Sequence, residues 1–133
     1  MSSTPLKLSQ SLEDYLEMVY MLRKENGIAR VKDISTALAV KMPSVAKAVL
    51  ELKKLGLVTQ EPYAGVDLSK EGEKLANQIL NRHLLLKLFL MNLGVSEATA
   101  NNDACSMEHI LSAETLSKIG IFVKEFRKKG SSK

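Results

Sequence analysis

Tryptophan is absent from this 133-residue chain, proline occurs only three times and cysteine only once. One cysteine cannot close an internal disulfide, which excludes a stapled secreted scaffold and points to a reducing cytoplasm. So few prolines, with seven glycines, argue against a turn-rich sandwich and for a mostly helical protein. Long apolar runs are missing too: Leu84–Met91 is eight residues long and interrupted by Lys87, far below the roughly 20 residues of a membrane span. The opening MSSTPLKLSQS lacks the apolar stretch of a signal peptide, so a cytoplasmic protein with no membrane partner is expected. What is present, 45% apolar and 26% charged residues, is ordinary for one compact domain or two small ones.

The net charge of +4 is unevenly spread. Arg30, Lys32, Lys41, Lys47, Lys53 and Lys54 face only Asp33 and Glu51 in residues 28–54, whereas Glu13, Asp14, Glu17 and Glu25 outweigh the bases of the first 27. A basic central block is what a phosphate-binding surface needs, and it is also what a solvated helix face looks like.

Apolar spacing orders the elements. Leu12, Tyr15, Leu16, Val19 and Leu22 predict an amphipathic helix from Leu12 to about Arg23, capped by Ser11 and ended by Glu25-Asn26-Gly27. Arg30-Val31-Lys32 reads as extended, and Asp33 to Leu38 as a short helix burying Ile34, Ala37 and Leu38. Pro43 opens a third helix, which runs to Leu55, buries Val45, Ala48, Val49, Leu52 and Leu55, and stops at Gly56. Leu57–Glu61 and Val66–Leu68 read as strands joined by a turn at Pro62–Gly65. This is a winged helix-turn-helix pattern, which small helical domains that bind no DNA also show.

Ser69 then caps a helix to about Leu93, whose Leu80, Leu84–Leu86 and Leu88–Met91 leave little polar face. A helix apolar nearly all round is buried on more than one side, which implies a homodimer interface. Gly94 ends it. Ser96 caps a helix to about Leu111, and Ser112 caps a last one burying Leu116, Ile119, Phe122, Val123 and Phe126, before a polar frayed tail from Arg127. The fold expected is mainly α: a winged helix-turn-helix domain over residues 1–72, then a helical dimerisation and metal-binding domain over residues 73–133.

Cys105-Ser106-Met107-Glu108-His109 holds the only cysteine and one of two histidines. On a helix, positions i, i+3 and i+4 share a face, so a thiolate, a carboxylate and an imidazole would converge as donors for a divalent metal. The bland alternative has Cys105 as a small buried apolar residue and the others as a surface pair. Two features weigh against it. His83 stands just before the leucine-rich stretch, and Asp14 and Glu17 lie at i, i+3 on the polar face of the first helix.

Residues 11–127 resemble the diphtheria toxin repressor family of iron- and manganese-dependent regulators, and within it the short manganese transport regulator branch without an SH3-like domain. The resemblance rests on Glu13-Asp14-Tyr15-Leu16-Glu17, Ala29-Arg30-Val31-x-Asp33-Ile34, Pro43-Ser44-Val45 and Leu68-Ser69-x-x-Gly72, and continues through Arg82-His83, Asn102-Asp103 and Glu108-His109. It implies metal ligands at Asp14, Glu17, His83, Cys105, Glu108 and His109. Asp14 and Glu17 are similar to the manganese branch, and Cys105 to the iron branch. Lys87 and Asn101 stand where iron regulators place a carboxylate and a histidine, which puts an ancillary site in doubt. The resemblance thus implies Fe(II) or Mn(II) as effector, with Co(II), Ni(II) or Zn(II) accepted in vitro. A primary site of Asp14, Cys105, Glu108 and His109 is expected, with Glu17 and His83 forming a weaker second one.

The resemblance further implies a non-enzymatic transcriptional repressor, binding palindromic double-stranded DNA as a homodimer. Metal bound between the halves would set the spacing of the recognition helices to successive major grooves, roughly 34 Å apart. The residues expected at DNA are Pro43, Ser44 and Lys47, with Lys41 at the helix entrance. Arg30, Lys32, Lys54 and a wing tip at Tyr63 are expected at phosphates. A competing reading is a winged-helix regulator that senses thiol oxidation or an organic effector through Cys105. A metalloenzyme is disfavoured, because no phosphate-cradling glycine loop or nucleophile–base pair is present.

Overall fold

A computed structural model describes residues 8–61 and 65–131. The chain divides into two compact units, residues up to Asn77 and residues from Gln78 onward. Helices α1 (Gln10–Asn26), α2 (Val31–Leu38) and α3 (Met42–Lys54) are followed by strands β1 (Val58–Glu61) and β2 (Gly65–Leu68), and then by α4 (Lys70–Asn92), α5 (Glu97–Met107) and α6 (Ala113–Ser131). None of the described helices is long and apolar enough to cross a membrane.

The first unit is the predicted winged helix-turn-helix, with its boundaries shifted. Ser9, rather than Ser11, caps α1: its hydroxyl accepts from the Leu12 amide at 3.2 Å, and Ser11 lies inside the first turn. Gly27 closes the helix at φ 77°, as its sequence position suggested. The extended segment before α2 is Ala29-Arg30, not Arg30–Lys32. Ala29 forms an isolated antiparallel bridge with Val66, accepting its amide at 2.8 Å, and α2 starts at Val31. Leu16, Val19, Ile34, Val45, Val49, Leu52, Leu57, Val58 and Val66 form the core. Ala37 and Leu55, expected inside, are exposed; Leu55 caps α3 and turns away as the chain leaves for β1.

The turn between α2 and α3 places Ala39 at φ 55°. It ends α2 in left-handed geometry, with the Val40 amide donating to Ser35 O at 3.0 Å and the Ser35 hydroxyl donating to Val40 O. Left-handed geometry costs a residue with a Cβ about 1–2 kcal/mol, while glycine's extra unfolded-state freedom costs about 0.4–1 kcal/mol. Ala39→Gly is therefore expected to stabilise the protein by roughly 0.5–1 kcal/mol in urea unfolding; a loss of stability would contradict this account of the turn.

The wing is joined to α4 through Ser69, whose hydroxyl donates to Gly56 O at 2.6 Å and accepts from the Gly72 amide at 3.0 Å. Its own amide donates to Leu57 O at 3.0 Å. Gly72 is packed so closely on Leu57 that a Cβ there would overlap the Leu57 carbonyl oxygen. Across the wing, Asp67 pairs with Arg23 of α1 at 2.9 Å.

In the second unit α4 and α5 are tied by two polar pairs, His83 to Asn101 at 2.9 Å and Lys87 to Glu97 at 3.1 Å. Four residues forward on α4 match four backward on α5, the signature of antiparallel neighbours. α6 meets α4 through Phe122 on Phe89, with ring centroids 5.6 Å apart, and through Gly120, whose Cβ position lies 3.9 Å from Leu85. α5 ends at Met107, four residues before the expected Leu111. α6 runs to Ser131, so residues 127–131 are helical rather than frayed. Of the residues expected to be buried on α6, only Val123 is; Leu116 and Ile119 are half-buried, and Phe122 and Phe126 are exposed.

Candidate metal centre and DNA-binding surface

Glu108 is the most unusual residue of the second unit, a carboxylate with no exposed surface. It caps α5, its amide donating to Ala104 O at 2.9 Å, and the chain turns sharply at His109. His83 Nδ1–H donates to Glu108 Oε1 at 3.2 Å, and His109 Nε2 stands 3.9 Å from the same oxygen. An isolated buried carboxylate is costly, so such groups are held by partners or by a cation. Here two imidazoles bracket it.

The expectation that Cys105, Glu108 and His109 share one helical face is corrected by the early end of α5. Cys105 lies on its last turn and is exposed, Glu108 is the cap and buried, and His109 is beyond the helix. His83 has a second partner, Asn101, at Nε2. Both ring nitrogens thus face oxygen atoms, and ligation through either requires His83 to release the partner on it. Among the described residues no group of three or more His, Cys, Asp and Glu side chains already stands as a metal site. The nucleus present is the Glu108–His83 pair with His109 beside it. Its nitrogen and oxygen donors suit a first-row divalent ion, so the residues fit such a group.

Asp14 and Glu17 lie half-buried on α1 in the first unit. Their neighbour Glu13, in the first turn of α1, is buried. Lys87, at the position of doubt for an ancillary site, is committed to its ion pair with Glu97. Asn101 entered the sequence reading only as a departure from the histidine of iron regulators, and its contact with His83 was not foreseen.

The candidate DNA residues Arg30, Lys32, Lys41, Pro43, Ser44, Lys47 and Lys54 are all exposed. Lys41, Pro43, Ser44, Lys47 and Lys54 lie on or at the entrance of α3, whose other face is buried through Val45, Ala48, Val49 and Leu52. Arg30 precedes α2, and Lys32 lies in its first turn. Tyr63 and the turn around it lie outside the described residues.

Comparison with known proteins agrees with this layout. Residues 7–66 match the iron dependent repressor N-terminal DNA binding domain, and residues 69–131 match the iron dependent repressor metal binding and dimerisation domain. The chain is 40% identical over 124 residues to an uncharacterized HTH-type transcriptional regulator of Methanocaldococcus jannaschii, covering 92% of this chain and 99% of that one. It is 42% identical over 123 residues to the HTH-type transcriptional regulator MntR of Bacillus subtilis, covering 92% of this chain and 87% of that one. Among solved structures, the manganese regulator SloR superposes with a TM-score of 0.76 at 30% identity over 85% of this chain; the match spans about half, 53%, of SloR. The chain belongs to the iron- and manganese-dependent repressor family, with that family's DNA-binding domain followed by its metal-binding and dimerisation domain.

Proposed function

We propose that the chain is a homodimeric repressor that binds palindromic operator DNA when Fe(II) or Mn(II) is held by Asp14, Glu17, His83, Cys105, Glu108 and His109. The observation that carries this reading is the buried Glu108 carboxylate between His83 and His109. When bound, the cation supplies the positive charge that lets several carboxylates share one site. The residues divide the remaining work. Glu108 and the histidines are preset donors, Asp14 and Glu17 bring the DNA-binding domain's carboxylates, and Cys105 tunes metal preference. Dimerisation is supported by the apolar surface of the second unit, where Leu84, Met91, Ile121, Phe122 and Phe126 are exposed although large and hydrophobic. The proposal assigns no catalytic role.

Metal identity turns on Cys105. The matching domains are those of iron dependent repressors, whereas SloR is a manganese regulator. A thiolate favours Fe(II), Co(II) or Zn(II) over Mn(II) relative to a carboxylate. Titration of wild type and Cys105→Glu with Mn(II) and Fe(II) under anaerobic conditions, read by DNA binding, tests both parts. Wild type is expected to bind DNA with metal and lose it in chelator, and the variant to shift toward Mn(II). Full-affinity DNA binding in chelator would overturn the metal switch, and unchanged selectivity would remove Cys105 from it. The exposure of Cys105 also favours a second reading, a thiol-oxidation sensor; retention of stoichiometric metal by the purified protein separates the two.

A further inference from the structure

Lys47 and Lys54 have phosphates as natural partners in the proposed complex, but one large side chain between them does not. Pro43, Lys47, Leu50 and Lys54 recur at i, i+4, i+7 and i+11 and form the outermost ridge of α3, opposite the buried Val45, Ala48, Val49 and Leu52. Leu50 is 52% exposed on this ridge. A scattered surface leucine needs no explanation, but this one sits in a basic ridge on the third helix of a DNA-binding domain. Near the entrance of the same helix, Met42 is 48% exposed, and Ala46 between them is exposed as well.

Leucine has no donor or acceptor, so any base reading by Leu50 is apolar. In the major groove the thymine C5-methyl group is the apolar feature of a base edge, and a cytosine in its place presents an amino donor that leucine would desolvate without a partner. Leu50 lies eight residues past Met42, about 12 Å along the helix, which is within a groove about 12 Å wide. Lysines flanking it hold the ridge against the backbone without choosing a base. We propose that Leu50 is a specificity-determining residue that packs on a thymine methyl group at one position of each half-site. This rests on α3 being the recognition helix of the metal-loaded dimer.

The test begins with selection of duplexes from a random pool by the wild-type protein in Mn(II). Affinities of wild type, Leu50→Ala and Leu50→Met are then measured by anisotropy for the best duplex and for versions with each thymine replaced in turn by deoxyuridine. At one thymine per half-site, wild type is expected to lose about three- to five-fold, the order set by one buried methyl group. Leu50→Ala should be indifferent to the same replacement, and Leu50→Met, which keeps an apolar tip, should retain most of the discrimination. Equal sensitivity of wild type and Leu50→Ala at every thymine, or a selected site with no sensitive thymine, overturns the proposal while leaving metal-dependent DNA binding standing. Failure of wild type to enrich any duplex overturns that reading and this inference together.

Discussion

Glu108→Gln is expected to weaken Mn(II) and Fe(II) binding by well over tenfold and to abolish metal-dependent DNA binding, while the metal-free protein stays folded. Loss of a mere outer-shell partner costs 10–100-fold at metal sites, so loss of a ligand sets that range as a lower bound. Glutamine keeps an oxygen that accepts from His83 Nδ1–H, now at 3.2 Å, and keeps the cap position of α5. A neutral acceptor is weaker by about 1 kcal/mol than a charged one, but the fully buried site no longer carries an anion, which offsets that loss. Two thermal melts separate the roles. In chelator, variant and wild type should unfold within a few degrees of each other. In saturating metal, wild type alone should gain stability, about 2.7 kcal/mol at a hundredfold excess over Kd. Equal metal stabilisation of both proteins would exclude Glu108 as a ligand.

Gly72→Ala should be the most damaging single-methyl change in the first unit. On an open helix this substitution is favourable by about 1 kcal/mol, because alanine is the better helix former. Here the added Cβ would occupy the space of the Leu57 carbonyl oxygen, which is backbone and cannot rotate aside. The same carbonyl accepts from Ser69 N, and Ser69 in turn holds Gly56 O and Gly72 N. Separating the helix from the wing therefore strains three hydrogen bonds at once. Overpacking of well-filled sites costs about 1–3 kcal/mol and more where backbone must move, so the clash outweighs the helix gain. A urea melt should show a net loss above about 2 kcal/mol. An unchanged or higher midpoint would mean that the wing does not pack on Gly72.

Element order was legible in the sequence because its punctuation is chemical: Gly27, Gly56 and Gly94 follow helices, and Ser69, Ser96 and Ser112 precede them. The errors share a cause. With serines at both 9 and 11, local pattern cannot say which hydroxyl reaches an amide three residues on. Val31 looked like strand because it is β-branched, but only Ala29 pairs with the sheet. α5 ends without glycine or proline, at a buried glutamate, so nothing in the local sequence marks the stop. The exposed Phe122 and Phe126 were read as core because apolar periodicity reports a face that wants covering, not what covers it. Likewise the candidate donors could be picked out only by residue type, because the Glu108–His83 pairing spans 25 residues and needed the fold.

The bridge between Ala29 and Val66 also decides which edges of the hairpin stay open to strands of other molecules. A two-stranded hairpin normally leaves both outer edges open to recruit strands from other molecules. Here Ala29 occupies the outer side of β2, and Gly65 is packed so tightly there that its Cβ position lies 2.8 Å from Ala29 O. The remaining edge is β1, four residues whose Thr59, Gln60 and Glu61 are exposed and polar. That edge is too short and too hydrophilic to template a foreign strand. The hairpin is thereby kept from pairing with the strands of neighbouring molecules.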